Sequence, residues 1–408
     1  MGLVSTIRMN AVDVAHKWAA TGFLVFLASS FFLASSRQKT VFYMLVAVPS
    51  LLLFIRFKSL LKENLWPLLS VLAFLAYFSV SSLWSGVASE SLEDALKFSL
   101  SILCLMLGIE ASSRRYSPEV FTQLIAWVGG LTAFVYIAVI LWKTPDFATL
   151  LADRSSFKDL TGWGSDNPIS SAIYLGLSVL AAWWLLPNKA RHIQLGLIVL
   201  IAVSMVLLFL TKSRGPMLAL FATLLLLSLF RRSRTDITLL LAGVLAALAI
   251  VLTTDILSLV MQRASEPNYR MEIWTAALEQ IKQHWAFGQG FGHEANIQIK
   301  ADKFVTHAHA SVLEVFRVGG LIGGGLLLGM LFLLSRGTVS HRGGMFFLLW
   351  LFYGLLCLST NGRMLLSRPS IEWFGFWTPL FLLYFSTRYE AAKLVAQDQS
   401  ARGLADPQ

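Results

Sequence analysis

Residues 310–335 read ASVLEVFRVGGLIGGGLLLGMLFLLS. After Glu314 and Arg317 nothing in this run carries a charge. About 20 mostly apolar residues in a helix cross the hydrocarbon core of a bilayer, so the stretch reads as a membrane span. Ionisable residues at the head of a span face a protein interior or a water-filled cavity. Gly319, Gly320, Gly323, Gly324 and Gly325 predict close packing on neighbouring helices.

Eleven further runs of this kind flank it, at about 18–36, 40–56, 65–83, 96–113, 120–142, 168–187, 193–211, 216–230, 237–254, 344–360 and 371–387. The second contains Pro49, and the eighth is short. Twelve spans make an all-α polytopic membrane protein, a single integral membrane domain over 1–408. Composition agrees. The 408 residues are 56% hydrophobic and only 14% charged, and the mean hydropathy is +0.67. Soluble domains run about 25% charged, and one or two soluble cores could not hide this much apolar surface. Disorder, collagen-like repeats and a disulfide scaffold are excluded. Cys104 and Cys357 lie inside apolar runs and read as small buried hydrophobes. Arg8, Asp13 and Lys17 precede the first run, and no small-residue cleavage site follows it. It is expected to be an uncleaved span, not a signal peptide.

The net charge of +10 is scattered through short loops without an aromatic-interleaved stripe, so nucleic acid is not the expected partner. The positive-inside rule orients the chain with both termini cytoplasmic. Arg56, Lys58 and Lys62, then Arg114 and Arg115, Lys189 and Arg191, Arg231, Arg232 and Arg234, and Arg336 and Arg342 then lie inside. Glu90, Glu93, Asp94, Asp146, Asp153, Asp159 and Asp166 lie outside. The long polar insertion 255–309 falls outside too, and 388–408 is a cytoplasmic tail. Trp18, Trp66, Trp84, Trp142, Trp163, Trp350, Trp373 and Trp377 sit near span ends, as interface anchors do.

Some cations lie where this rule does not want them. Lys212 and Arg214 occur in Thr211-Lys-Ser-Arg-Gly-Pro216. Pro216 suits the first turn of a helix, and a helix N-terminus beside two cations suits an anion. A plain turn with snorkelling cations fits equally well. In the insertion, Met271, Trp274, Leu278, Ile281 and Trp285 recur every three or four residues. Glu272, Glu279, Gln280, Lys282 and Gln283 lie opposite. This is an amphipathic helix on the membrane surface or on the roof of the bundle. With Asn268 as N-cap, Arg270 falls in the first turn, where a cation opposes the macrodipole. An anion bound between them would relieve that cost; an exposed arginine, or one paired with Glu266, is the alternative. Phe287-Gly-Gln-Gly-Phe-Gly292 lacks dinucleotide-motif spacing and reads as a flexible turn back to the membrane.

His307-Ala-His309 follows at the mouth of the tenth span. Two histidines so spaced can bind a metal from a strand, but no third ligand is evident; Glu294 and Asp302 are available only in principle. A histidine facing an aqueous cavity also suits general-base work, or is simply interfacial. Asn361-Gly-Arg363 and Ser367-Arg368-Pro369 add two cations to the same side. Together these residues describe an outward cavity suited to an anionic, phosphate-bearing, membrane-embedded substrate.

Three of these features resemble the O-antigen ligases of Gram-negative bacteria, within the wider group of O-antigen ligases and polymerases. They are Ser213-Arg214-Gly215 at a span start, Arg270 with Trp274 and the glycine-rich return, and His309 with Gly320 and Gly323. The strongest resemblance covers 165–335. His309 fits the family spacing to the first glycine; His307 does not. Ala310 departs from it, since Asn, Ser or Gln is usual there. The resemblance implies a GT-C-type glycosyltransferase of the bacterial inner membrane, working at the periplasmic face without metal, nucleotide or other cofactor. Its donor would be a polysaccharide on undecaprenyl diphosphate, its acceptor a sugar hydroxyl of lipid A–core. His309 would be the catalytic base of an inverting displacement. Arg214 and Arg270 would hold the diphosphate, with Lys212, His307 and Arg368 as secondary candidates. A polymerase using the same donor, a protein O-oligosaccharyltransferase and a transporter are the competing expectations.

Overall fold

A computed structural model describes residues 2–143, 156–165, 167–187, 189–253, 269–300, 303–336 and 342–405. Ten of the described helices are long and apolar enough to cross a membrane. They are α1 (Gly2–Ser29), α2 (Ser35–Glu63), α3 (Leu65–Ser81), α4 (Ala88–Arg115), α5 (Pro118–Lys143), α7 (Pro168–Leu185), α8 (Arg191–Leu210), α9 (Arg214–Arg231), α12 (Ser311–Ser335) and α13 (Arg342–Asn361). The two other expected spans, 237–254 and 371–387, fall in α10 (Arg234–Thr253) and in α14, a π-turn over Trp373–Trp377 running on into Thr378–Ala405. The 388–405 segment therefore continues a helix. A short α6 (Phe157–Thr161) opens the way into α7 with a reciprocal Ser156–Asp159 capping box.

Burial sorts the helices. α7 and α4 are 78% and 72% buried over their most apolar windows, against 28% for α2 and α8. α7 is thus enclosed by α5, α8, α9 and α13, and α4 by α1, α3 and α14. The core is rich in rings. Trp350, Trp373 and Trp377 are buried among Phe42, Phe74, Phe374 and Phe381. They are not interface anchors: the indole N–H groups of Trp373 and Trp377 donate to the Ser367 and Leu365 carbonyls inside the bundle. Trp18, Trp66, Trp84 and Trp142 do stand on the surface.

Pro49 shows how α2 absorbs a breaker. Proline cannot donate to the carbonyl four residues earlier, which is that of Leu45. The helix loosens into a π-turn over Tyr43–Ala47. The Leu45 carbonyl then lies against α1, only 2.0 Å from where a Cβ on Gly22 would sit, so glycine is required there.

The insertion forms a small layer of its own. α11 (Arg270–Gln283) is followed by an antiparallel hairpin, β1 (Ile297–Lys300) and β2 (Lys303–Val305), with Ile297 opposite Val305. Ile273 and Ala277 of α11 bury with Ala295, Ile297, Val305 and Ala308 in a second core. The expected apolar stripe of α11 lies beside this contact. Met271, Leu278 and Trp285 are exposed, because the hairpin takes the neighbouring stripe through Ile273 and Ala277. The helix begins at Arg270 with Tyr269 at the cap; Asn268 and Glu266 lie outside the described residues.

Candidate active site

α12 is two helices in one. Gly320 has φ 60° and ψ −159°, a region open essentially to glycine alone. The helical ladder breaks there, and the return segment repairs it. Leu321 and Ile322 N–H donate to the carbonyls of Trp285 and Ala286. Gly288 approaches the Val318 and Gly319 backbone so closely that any side chain would collide. Gly290 N–H donates to Val318 O, Gln289 N–H to Arg317 O, and Tyr77 Oη to the carbonyls of Phe287 and Gly319. Further along, Phe291 N–H donates to Ser81 Oγ, and His293 Nδ1 lies 3.0 Å from Ser85 O. The glycine-rich segment is therefore no flexible turn. It is a wedge fixed between α3 and the break in α12.

A buried ion pair ties this wedge to the histidines. Arg317 is 1% exposed. Its guanidinium donates to Glu314 Oε1 at 2.5 Å and Oε2 at 3.2 Å, to Gln289 Oε1 at 2.6 Å and to His293 O at 2.8 Å. Glu314 Oε2 also accepts the Ala308 N–H at 3.0 Å. Ala308 is the residue between the two histidines, and it is fully buried. Glu314 and Arg317 thus hold the His307–His309 segment in place through the Ala308 N–H. Charges this deeply buried persist only when paired and hydrogen-bonded.

His309 itself has φ 52°. A non-glycine residue in the left-handed region costs roughly 1–3 kcal/mol and is kept where the surroundings impose it. Its ring lies 4.1 Å from that of His307, centroid to centroid. No described residue makes a hydrogen bond to the His309 ring. Burial, then the cations Arg270 and Arg363, hold its basicity below the ordinary 6.5, against a smaller opposite pull from Glu314. Burial with His309 and Arg363 pushes His307 down to about 4. Both imidazoles are neutral near pH 7, so either ring can accept a proton.

The structure thus brings Arg270, at the first position of α11, and Arg363 to His309. Burial lowers the Arg270 pKa too, but arginine stays charged. The loop after α13 places Arg363: Ser311 Oγ donates to its carbonyl and its N–H donates to Glu372 Oε1. A side chain on Gly362 would strike Ser311 Oγ. That Asn-Gly-Arg glycine was the available signal for the close approach, and Arg363, not Arg368, is the cation of this loop that acts on both histidines. Lys212 has φ 51° and a buried Nζ. Arg214 opens α9 with an exposed side chain. Gly215 lies against Thr360 Oγ1, three residues before Arg363, so the start of α9 belongs to the same end of the bundle. Glu294 gathers no metal-ligand set: among the described residues no group of three His, Cys, Asp or Glu does. Asp302 lies outside the described residues.

Two comparisons with known proteins bear on this site. The family model for O-antigen ligase matches residues 197–328, a stretch holding Lys212, Arg214, Arg270, His307, His309 and the Gly320 break. A curated O-antigen ligase of Pseudomonas aeruginosa is 31% identical over 399 residues, covering 93% of this chain and 94% of that protein. Similarity so nearly end to end carries the helical bundle and the inserted layer together, and the chain belongs to the O-antigen ligase family.

Proposed function

We propose that this chain is an inverting, metal-independent glycosyltransferase of the bacterial inner membrane. It moves O-antigen polysaccharide from undecaprenyl diphosphate to a sugar hydroxyl of lipid A–core at the periplasmic face. The 255–309 insertion is then periplasmic and 388–408 a cytoplasmic tail. The observation that carries this reading is His309: a neutral imidazole on strained backbone, its ring without a hydrogen bond among the described residues, between the charges of Arg270 and Arg363. His309 takes the acceptor hydroxyl proton as that oxygen attacks the anomeric carbon. The C–O bond to the diphosphate breaks, and direct displacement inverts the centre. Arg270 and Arg214, joined by Arg363, hold the diphosphate and stabilise the charge that builds on the leaving group, which fixed cations do well in a water-poor site. Lys212 adds charge at the start of α9.

The test is transfer in vitro with purified protein, lipid-linked O-antigen, lipid A–core and EDTA, comparing wild type with His309→Ala. Transfer by wild type alone supports the reading. Equal transfer by both removes His309 from the mechanism, and transfer that EDTA abolishes removes metal independence. One observation favours a second reading. Ala310 is the N-cap of α12 and gives it no side-chain cap, where ligases carry a small polar residue. An O-antigen or exopolysaccharide polymerase with the same donor would instead lengthen the lipid-linked glycan in this assay.

A further inference from the structure

A second polar cleft lies at the far end of the bundle. α4 starts beside the wedge, where Ser91 meets Gly292. Nineteen residues later, about 28 Å along a helix rising 1.5 Å per residue, it reaches Glu110. There His16 of α1, Arg56 and Ser59 of α2, and Leu107, Glu110 and Arg114 of α4 line a small open cleft.

The charges in this cleft are not balanced. Glu110 is buried, and its Oε1 accepts from both Arg114 Nε and Tyr389 Oη. Arg114 also stacks on the Tyr389 ring at 4.8 Å. The carboxylate is thereby neutralised by a partner held in place from two sides. Arg56 is exposed at the mouth of the cleft, and among the described residues its guanidinium makes no hydrogen bond. His16 Nε2 is buried, also with no partner among them. Asp13 faces His16 as well, but it is bound to Lys17. The cleft therefore offers a guanidinium and a buried ring nitrogen, with one positive charge in excess. The buried His16 ring nitrogen is the group that gains from a bound partner, and the exposed Arg56 supplies the charge beside it.

What lies beside the cleft tells which anion fits. Leu51, Leu52 and Ile55 stand exposed on α2 next to Arg56. A free anion has no use for that apolar strip; an acyl chain does. We propose that this cleft binds the phosphate of an anionic membrane lipid, with Arg56 and His16 Nε2 on the phosphate and the acyl chains along Leu51, Leu52 and Ile55. The site is remote from His309 and independent of the transfer reaction proposed above.

Native mass spectrometry of the full chain in detergent tests it, with dioleoylphosphatidylglycerol as the probe and inorganic phosphate as the rival anion. Wild type should retain one lipid that Arg56→Gln and His16→Phe each bind roughly tenfold more weakly. Lys58→Gln, which removes an exposed charge beside the cleft, should bind as wild type does. Thermal unfolding without lipid shows that each variant is folded. Inorganic phosphate should not displace the lipid at equal concentration. Undiminished binding by the folded Arg56→Gln and His16→Phe variants would overturn the site, as would equal loss in Lys58→Gln, which marks diffuse attraction. Protection by inorganic phosphate but not by the lipid would overturn the lipid as occupant.

Discussion

The two halves of α12 are built by different rules. Before Gly320 the helix carries Glu314 and Arg317, both buried, and nearly every polar atom it buries has a named partner. After Gly320 it is apolar, with Leu321, Leu328 and Phe332 turned outward and Gly323 packed on Phe78. The first half braces the histidine segment, and the second turns apolar side chains outward, as a membrane span does. One continuous apolar run can thus contain a hydrogen-bonded scaffold and a membrane anchor, provided one residue interrupts the ladder between them.

That contrast can be broken at chosen points. The largest effect is expected at His309, the base proposed above. His309→Ala should lower the transfer rate by about 10²–10⁴-fold with the thermal midpoint unchanged; a normal rate would leave the strained histidine without a purpose. Next comes the brace. Arg317→Met strands a buried carboxylate, which costs about 3–5 kcal/mol, read as a loss of thermal stability together with transfer. Replacing Glu314 and Arg317 together by apolar residues should cost less than the single change, and a greater loss would mean the pair does more than balance charge. Gly320→Ala forces φ 60° on a side chain whose Cβ would lie 2.4 Å from Ala286 O, a loss of roughly 3 kcal/mol. Unaltered stability would show that the break is not imposed by the wedge.

A smaller effect is expected in the pH profile. Burial, Arg270 and Arg363 hold His309 below its ordinary value, so a base at this position stays neutral into mildly acidic solution. The acid limb of transfer should lie below pH 6.5 in wild type. Arg363→Gln removes one cation and should move that limb upward, whereas a fixed limb would remove Arg363 from the environment of His309. The smallest effect lies in the second half. Gly325 is exposed and open around its Cα, so Gly325→Ala should stabilise by about 0.5–1 kcal/mol, the opposite sign to the same change five residues earlier. Equal losses at both glycines would erase the distinction between the halves.

The sequence made several elements plain for a simple reason. A run without charges has one stable home, so the helices from α1 to α13 that can cross a bilayer were readable from composition. His309 and Arg270 stood out as candidates because ionisable residues at span heads and helix starts are costly, and the structure places them together. The stripe of α11 that meets the hairpin was not readable. Its alternating residues offer two adjacent apolar stripes, and only the hairpin β1–β2 selects the one through Ile273 and Ala277. The Trp residues of α13 and α14 misled because indole at a span end suits an interface and a core equally well. The wedge was read as flexible because glycine signals permission, and permission alone does not say whether the backbone is free or clamped. Arg363 and Arg368 look alike in sequence; Gly362 and the Ser311 contact decide between them.

Residue composition alone settles that the chain crosses a membrane many times, because desolvation acts residue by residue. Only the tertiary structure decided that α12 is broken at Gly320, that Glu314 and Arg317 brace the histidine segment, and that Arg270 and Arg363 both act on His309. Those outcomes depend on which carbonyl, carboxylate or guanidinium arrives from a distant part of the chain, and no local pattern encodes the partner.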